Sequence, residues 1–277
     1  MALTLMYITN DPDVALIAEN NGVDRIWIDL ETLGKEERQK GLDSVKSRHA
    51  IEDIRKIAPL LTTSDMLVRI NPMNAESERE INEVIAAGAD MIMLPMWKSQ
   101  DEVNRFLKFV DGRVKTTLLL ETKEAVDCVD EVLSNGGFDE IHIGLNDLHL
   151  SYGLTFMFEL LSDGTVEMLC RKFSRYGIPY GFGGIAKLGC GLVPAEMIIQ
   201  EHYRLGSTRA ILSRNFCNTE GASDRKEIED VFSVNMQMLR SYENKVKTFS
   251  AKDLSENKKK TAEKIETVAR NLRKNEN

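Results

Sequence analysis

The sequence predicts a single (β/α)8 TIM barrel with a C-terminal amphipathic helical extension. Three observations carry that expectation. Short β-rich runs alternate with longer stretches of helical period, the alternation repeats eight times, and 277 residues is an ordinary length for one barrel domain. Doubly wound sheets alternate in the same way, but they seldom reach eight regular units without a second domain. Residues 1–250 are therefore assigned to the barrel and 251–277 to a charged amphipathic tail.

The expected strands are Leu3–Ile8, Arg25–Leu30, Met66–Ile70, Met91–Leu94, Thr116–Leu120, Glu140–Ile143, Ile178–Phe182 and Ala210–Leu212. Each is a short apolar or β-branched run, as expected of parallel strands buried on both faces. The helix after the first strand starts at Pro12 behind Asn10 and Asp11, which suit a cap, and runs to Glu19. A polar stretch after the second strand leads into a helix around Ala50–Leu61. Helices follow over Glu78–Ala87, Gln100–Val110 and Glu124–Ser134. A long helical region after the sixth strand is interrupted near Asp163-Gly164, and the last two helices are Ala195–Leu205 and Lys226–Lys245. In the tail, Leu254, Ile265, Val268 and Leu272 fall on one helical face. That face would pack on the barrel or on a neighbouring subunit; a frayed solvated tail is the alternative, because short isolated helices are marginal.

The formal charge of −8 argues against a nucleic-acid binder, which needs a basic face. The tail carries eight Lys and Arg against five Asp and Glu, so the preceding 250 residues hold −11. No apolar stretch approaches the roughly 20 residues of a membrane span, and no basic n-region opens the chain, so neither membrane insertion nor a signal peptide is expected. Cys128, Cys170, Cys190 and Cys217 lack metal-ligand spacing and read as free thiols of a cytoplasmic protein.

In a barrel, reactive side chains sit where strands end and βα loops begin. That rule singles out Asp29 and Glu31 after the second strand, Arg69 closing the third, Glu121 after the fifth, and Asn146 and Asp147 after the sixth. The glycines Gly181, Gly183 and Gly184, read as following the seventh strand, could present backbone N–H groups to an anion; tight turning alone would also explain them. Glu121 and Asp147 each end an apolar strand, where an uncompensated carboxylate is costly. Two such carboxylates suit Mg²⁺ or Mn²⁺, which prefer oxygen ligands; a salt bridge, for example Glu121 with Arg69, is the other reading. Arg69 could hold a carboxylate bidentately or stabilise an enolate oxygen, and an interstrand ion pair would equally account for it.

Of the four histidines, His142 is expected to pack between strand and helix, and His202 to be structural. His49 lies in the loop or first helical turn after the second strand. His149 follows Asp147 by two residues and could share its side of the chain. Both are candidates for proton transfer, with surface or capping roles as the alternative.

Several segments together resemble the HpcH/HpaI aldolase and citrate lyase β-subunit family. They are Leu119-Leu120-Glu121-Thr122-Lys123-Glu124-Ala125-Val126, the run from Phe138 through Gly144-Leu145-Asn146-Asp147-Leu148, Val68-Arg69-Ile70-Asn71-Pro72, the run Gly88–Met96, and Ile28-Asp29-Leu30-Glu31. The resemblance spans residues 20–215, approximately. It implies a phosphoenolpyruvate/pyruvate-type barrel in which Glu121 and Asp147 ligate the metal and Arg69 contacts the keto acid; Asp29, Glu31, Gly183 and Gly184, singled out by the strand-end rule, are the further candidates for substrate binding. It further implies a trimeric or hexameric homo-oligomer acting on a pyruvate- or oxaloacetate-type 2-keto acid as a metal-dependent carbon–carbon lyase or aldolase. A citrate-synthase-like condensing enzyme and a non-catalytic keto-acid- or protein-binding barrel are the competing readings. One position departs from the pattern. The aldolase branch has Asp-x-Glu-His and the citrate lyase branch Asp-Leu-Glu-Asp, whereas this chain has Thr32. A threonine cannot serve as that base, which leaves His49, His149 or a metal-bound water for the task.

Overall fold

The computed structural model describes residues 2–35, 49–217 and 224–275. Most of the polar stretch expected after the second strand, and the last two residues of the tail, lie outside them. Eight parallel strands close in sequence order into a barrel, as the alternation predicts. The chain divides into two compact units, Met6–His142 and Met1–Leu5 with Ile143–Asn277.

The first unit holds β1 (Thr4–Ile8) from Met6 onward, followed by α1 (Pro12–Asn20). Asp11 caps that helix, accepting from the Asp13 and Val14 amides at 2.8 and 3.2 Å. Next come β2 (Arg25–Asp29), α2 (Ile51–Ile57) with a 3-10 turn at Ala58–Leu60, β3 (Asp65–Arg69) and α3 (Ser77–Ala87). Gly88 ends α3 at φ 110°, a left-handed conformation that also brings it against the Ala58 side chain. The unit continues through β4 (Met91–Leu94), α4 (Gln100–Val110), β5 (Lys115–Leu120), α5 (Lys123–Asp127), α6 (Val129–Asn135) and β6 (Glu140–Ile143), leaving it after His142.

Inside this unit, Arg25 of β2 makes a bidentate pair with Glu140 of β6, and Thr117 Oγ1 of β5 donates to the same carboxylate at 2.7 Å. Strands β2 and β6 are not neighbours in the closed order, so the pair spans the barrel interior. Side chains two residues apart on a strand share a face, and so His142 points inward with Glu140. It is 1% exposed. The expectation that it packs between strand and helix is corrected on that ground.

The second unit contains α7 (Leu145–Ser151), α8 (Glu159–Ser162), α9 (Thr165–Arg175), β7 (Tyr180–Ile185), α10 (Ala195–Leu205), β8 (Arg209–Leu212), α11 (Arg225–Val246) and α12 (Ala251–Asn275). Gly164, at φ 93°, marks the predicted helical interruption. His202 is buried, stacked on Phe182 at 3.9 Å with Nδ1 2.7 Å from Ser207 Oγ, the structural role expected of it. The tail helix α12 packs on α8 and α10 rather than fraying. Ile265, Val268 and Ala269 are buried there, and Asn257 Nδ2 donates to Met197 O and Glu201 Oε1 at 3.1 and 2.9 Å. Lys258 of α12 shares Glu167 with Arg204 and Arg171. Hydrogen bonding from Lys258, ahead of the Arg204 charge and against a partial burial cost, pulls the Glu167 carboxyl down to about 2. Among the described residues no helix is long and apolar enough to cross a membrane.

Candidate active site

The parallel register sets Asp29, the last residue of β2, beside Arg69, the last of β3. Their side chains therefore leave the sheet on the same face and meet. Arg69 donates from Nε and Nη2 to the two Asp29 oxygens at 2.9 and 2.8 Å, a fork that only a guanidinium can make. Lys35 Nζ reaches Asp29 Oδ2 at 2.5 Å, and Glu31 Oε2 lies 3.3 Å from Arg69 Nη2. All four residues are at most 9% exposed. The Trp27 ring lies 5.2 Å from the guanidinium carbon, adding a cation–π contact of about 1–2 kcal/mol.

Burial alone would push the Asp29 carboxyl up; the Arg69 charge and hydrogen bonds, followed by Lys35, hold it far below the usual carboxylate range. Burial likewise works against the Arg69 cation, and the charges of Asp29, Glu31 and, less strongly, Glu121 keep it fully protonated. Asp29 is thus held between two cations, Arg69 and Lys35.

A short turn carries Lys35 back to Asp29. Asn71 Oδ1 accepts from Thr32 N, Thr32 Oγ1 and Leu33 N at 2.9, 3.2 and 3.0 Å, and Lys35 N donates to Thr32 O at 3.3 Å. Asn71 is itself oriented by Glu80 Oε1, which accepts from its Nδ2 at 2.8 Å. Neither Lys35 nor Asn71 was among the expected site residues. Asn71 had entered only as part of the Val68–Pro72 segment of the family resemblance, and nothing local marks a lysine that pairs six residues back.

His49 does sit at the site. Its Nδ1 accepts from the Asp29 amide at 3.0 Å, so the proton of the neutral ring is on Nε2. Burial, opposed by Asp29 and Asp53 and aided by Lys35 and Arg69, lowers its pKa. In this tautomer His49 is a hydrogen-bond donor toward its surroundings. Glu121 lies just past β5, 2% exposed, with Oε1 accepting from the Met96 amide at 3.1 Å. The next residue, Thr122, donates to Trp97 O at 2.8 Å and caps α5 through the Ala125 amide. The Glu-Thr dipeptide therefore joins an acid at the strand end to the cap that fixes the following helix.

The remaining expected residues belong to the second unit. Asp147 and His149 are buried on α7. Two helical positions differ by about 200°, so they do not share a side, contrary to the expectation that His149 could share Asp147's. His149 Nδ1 lies 3.2 Å from Leu145 O, and a carbonyl only accepts, so Nδ1 is the donor in this contact. Gly183 and Gly184 correct another expectation, because they lie within β7 and not beyond it. The strand continues because Gly184 and Ile185 pair with Ile211 and Leu212, with a register shift after Gly181. A Cβ on Gly183, at φ 51°, would come within 2.7 Å of Leu145 Cδ1, so this glycine serves close packing.

A closed barrel with a buried, arginine-centred cluster of acids at its strand ends has the build of a barrel enzyme, whose chemistry is carried at that face. Residues 3–159, more than half of the chain, match the HpcH/HpaI aldolase/citrate lyase family, and the chain belongs to that family of aldolases and lyases. Its fold is similar to that of an HpcH/HpaI aldolase from Desulfitobacterium hafniense DCB-2, with a TM-score of 0.61 at 16% identity over 76% of this chain and 86% of that one. An HpcH/HpaI aldolase/citrate lyase family protein from Burkholderia cenocepacia J2315 gives 0.59 at 13% identity, over 87% and 94%. The citrate synthase SbnG gives 0.56 at 16%, also over 87% and 94%. At these identities the likeness is one of fold. No curated protein matches the sequence.

Proposed function

We propose that the protein is a metal-dependent carbon–carbon lyase or aldolase acting on a 2-keto acid of the pyruvate or oxaloacetate type. The observation that carries this reading is the set of buried carboxylates at the strand ends. Asp29, Glu31 and Glu121 are each at most 2% exposed and act on the charge of Arg69, and their oxygens are the hard donors that suit a divalent cation. Glu121 and Asp147 are the carboxylates assigned to hold Mg²⁺ or Mn²⁺. Among the described residues no three His, Cys, Asp or Glu side chains form a ready-made ligand cluster, so substrate and water would complete the shell.

Bound there, such an ion supplies Lewis acidity for the negative charge that develops on a keto acid as its carbon–carbon bond breaks or forms. Arg69 holds the substrate's oxygens with the planar fork it now directs at Asp29. Asp29 and Glu31 act on substrate through Arg69, holding the guanidinium until the substrate's oxygens replace Asp29 on its fork. His149 offers Nε2 as a proton acceptor, while His49 offers an N–H. Gly183 and Gly184 enter this reading through their packing within β7. A homo-oligomer, as the resemblance implies, is part of this reading.

The assignment is tested by titrating Mn²⁺ into the protein and following free Mn²⁺ by electron paramagnetic resonance. Glu121→Gln and Asp147→Asn should each weaken Mn²⁺ binding by at least about tenfold, a loss that even outer-shell partners of a metal produce. In Glu121→Gln the amide oxygen could still accept from the Met96 amide, so the fold should persist. Unchanged affinity in both variants would remove these residues from the metal site.

A further inference from the structure

Arg69 is committed to Asp29 through two of its nitrogens in a way that bears on substrate capture. Its Nε and Nη2 are on Asp29, and Asp29 is 2% exposed. A buried carboxylate stripped of its counter-charge is strongly unfavourable. An incoming carboxylate can therefore draw the fork away only if another cation stays on Asp29.

Lys35 is placed for that. Its ammonium is on Asp29 Oδ2 at 2.5 Å and is 5% exposed, and lysines are almost never so buried unless paired. The turn that brings it there is anchored independently of Arg69, by the three donors of Thr32 and Leu33 on Asn71 and by Glu80 behind it. Arg69 also keeps a group to lead the exchange, since among the described residues no hydrogen bond is made by its Nη1.

We propose that Lys35 is the retained counter-ion of Asp29, a positioning residue that lets Arg69 exchange Asp29 for the carboxylate of the 2-keto acid. This rests on the reading that Arg69 binds that carboxylate. Lys35 stays on Asp29 throughout, the buried acid is never left bare, and the guanidinium is free to turn. The exchange also explains why two cations are gathered on one acid, when a single guanidinium would satisfy both of its oxygens.

The test is calorimetric titration of oxalate into Mg²⁺-saturated protein. Lys35→Met should weaken oxalate binding by at least about tenfold, and Lys35→Arg, which keeps the charge, should stay within about threefold of the parent. Lys35→Met combined with Asp29→Asn should return to within about threefold of Asp29→Asn alone, because no charge is then left behind. A merely structural lysine would instead give losses that add. Wild-type affinity in Lys35→Met, or additive losses in the double variant, would overturn the proposal. Should Lys35→Met fail to fold by circular dichroism, Asp29→Asn alone decides. It should bind oxalate at least as tightly as the parent, and weaker binding overturns the exchange. Arg69→Ala separates the two levels. If it binds oxalate normally, the role of Arg69 itself is wrong; if it binds poorly while Lys35→Met binds normally, only the role of Lys35 is.

Discussion

Arg69→Ala should lower turnover of a 2-keto acid by about 10²- to 10³-fold at saturating metal, the loss typical of removing one preorganised donor from a developing oxyanion. Metal affinity should stay within a few-fold, because the guanidinium is not a ligand. Arg69→Lys should recover little. An ammonium cannot reproduce the two-point fork on Asp29, and the packing over Trp27 is lost with the planar group. Asp29 would keep Lys35 as counter-ion in either variant, so folding should survive well enough for rates to be compared. An unchanged rate for Arg69→Ala in a metal-saturated assay would remove Arg69 from the chemistry.

The second large effect concerns stability. Arg25→Ala should destabilise the fold by about 3–5 kcal/mol, the usual cost of removing one partner from a buried pair. Arg25 and Glu140 are 6% and 3% exposed, and the deletion strips a barrel-spanning carboxylate of its guanidinium. Replacing both partners by Arg25→Met and Glu140→Leu should recover most of that loss, since a well-packed apolar pair carries no desolvation penalty. Urea denaturation read by circular dichroism measures both variants. A cost for Arg25→Ala below about 1 kcal/mol, the range of an exposed pair, would contradict the burial argument.

Where the physics is local, the sequence was a good guide. Strands such as Met91–Leu94 are buried on both faces and read directly as apolar runs, and the acids and arginine at their ends fall where a barrel puts reactive groups. The family match and the closed eight-strand order both agree with that reading. What the residues did not disclose depends on the path of the backbone. Lys35 pairs with Asp29 only because Asn71, 36 positions along, folds the turn back. Asp147 and His149 share a side on an extended chain and lose it on a helix, and the switch happens at Gly144. Gly183 and Gly184 suggested a loop because glycine disfavours strands. They lie in one because Leu145 packs where a side chain would be, and the ladder to β8 holds the backbone extended. Thr32 left the proton-transfer residue open at the sequence level. In the proposed function His149 is the acceptor and His49 the donor, on the strength of the hydrogen bonds that their Nδ1 atoms make.

The central claim, enolate chemistry on a keto acid under metal control, is tested most directly by proton NMR of pyruvate in D2O. With Mg²⁺ or Mn²⁺ present, the protein should exchange the pyruvate methyl protons for deuterium, and EDTA should stop the exchange. Exchange that continues in EDTA, or a folded, metal-loaded protein that exchanges no α-proton of pyruvate or any other 2-keto acid, would contradict the account.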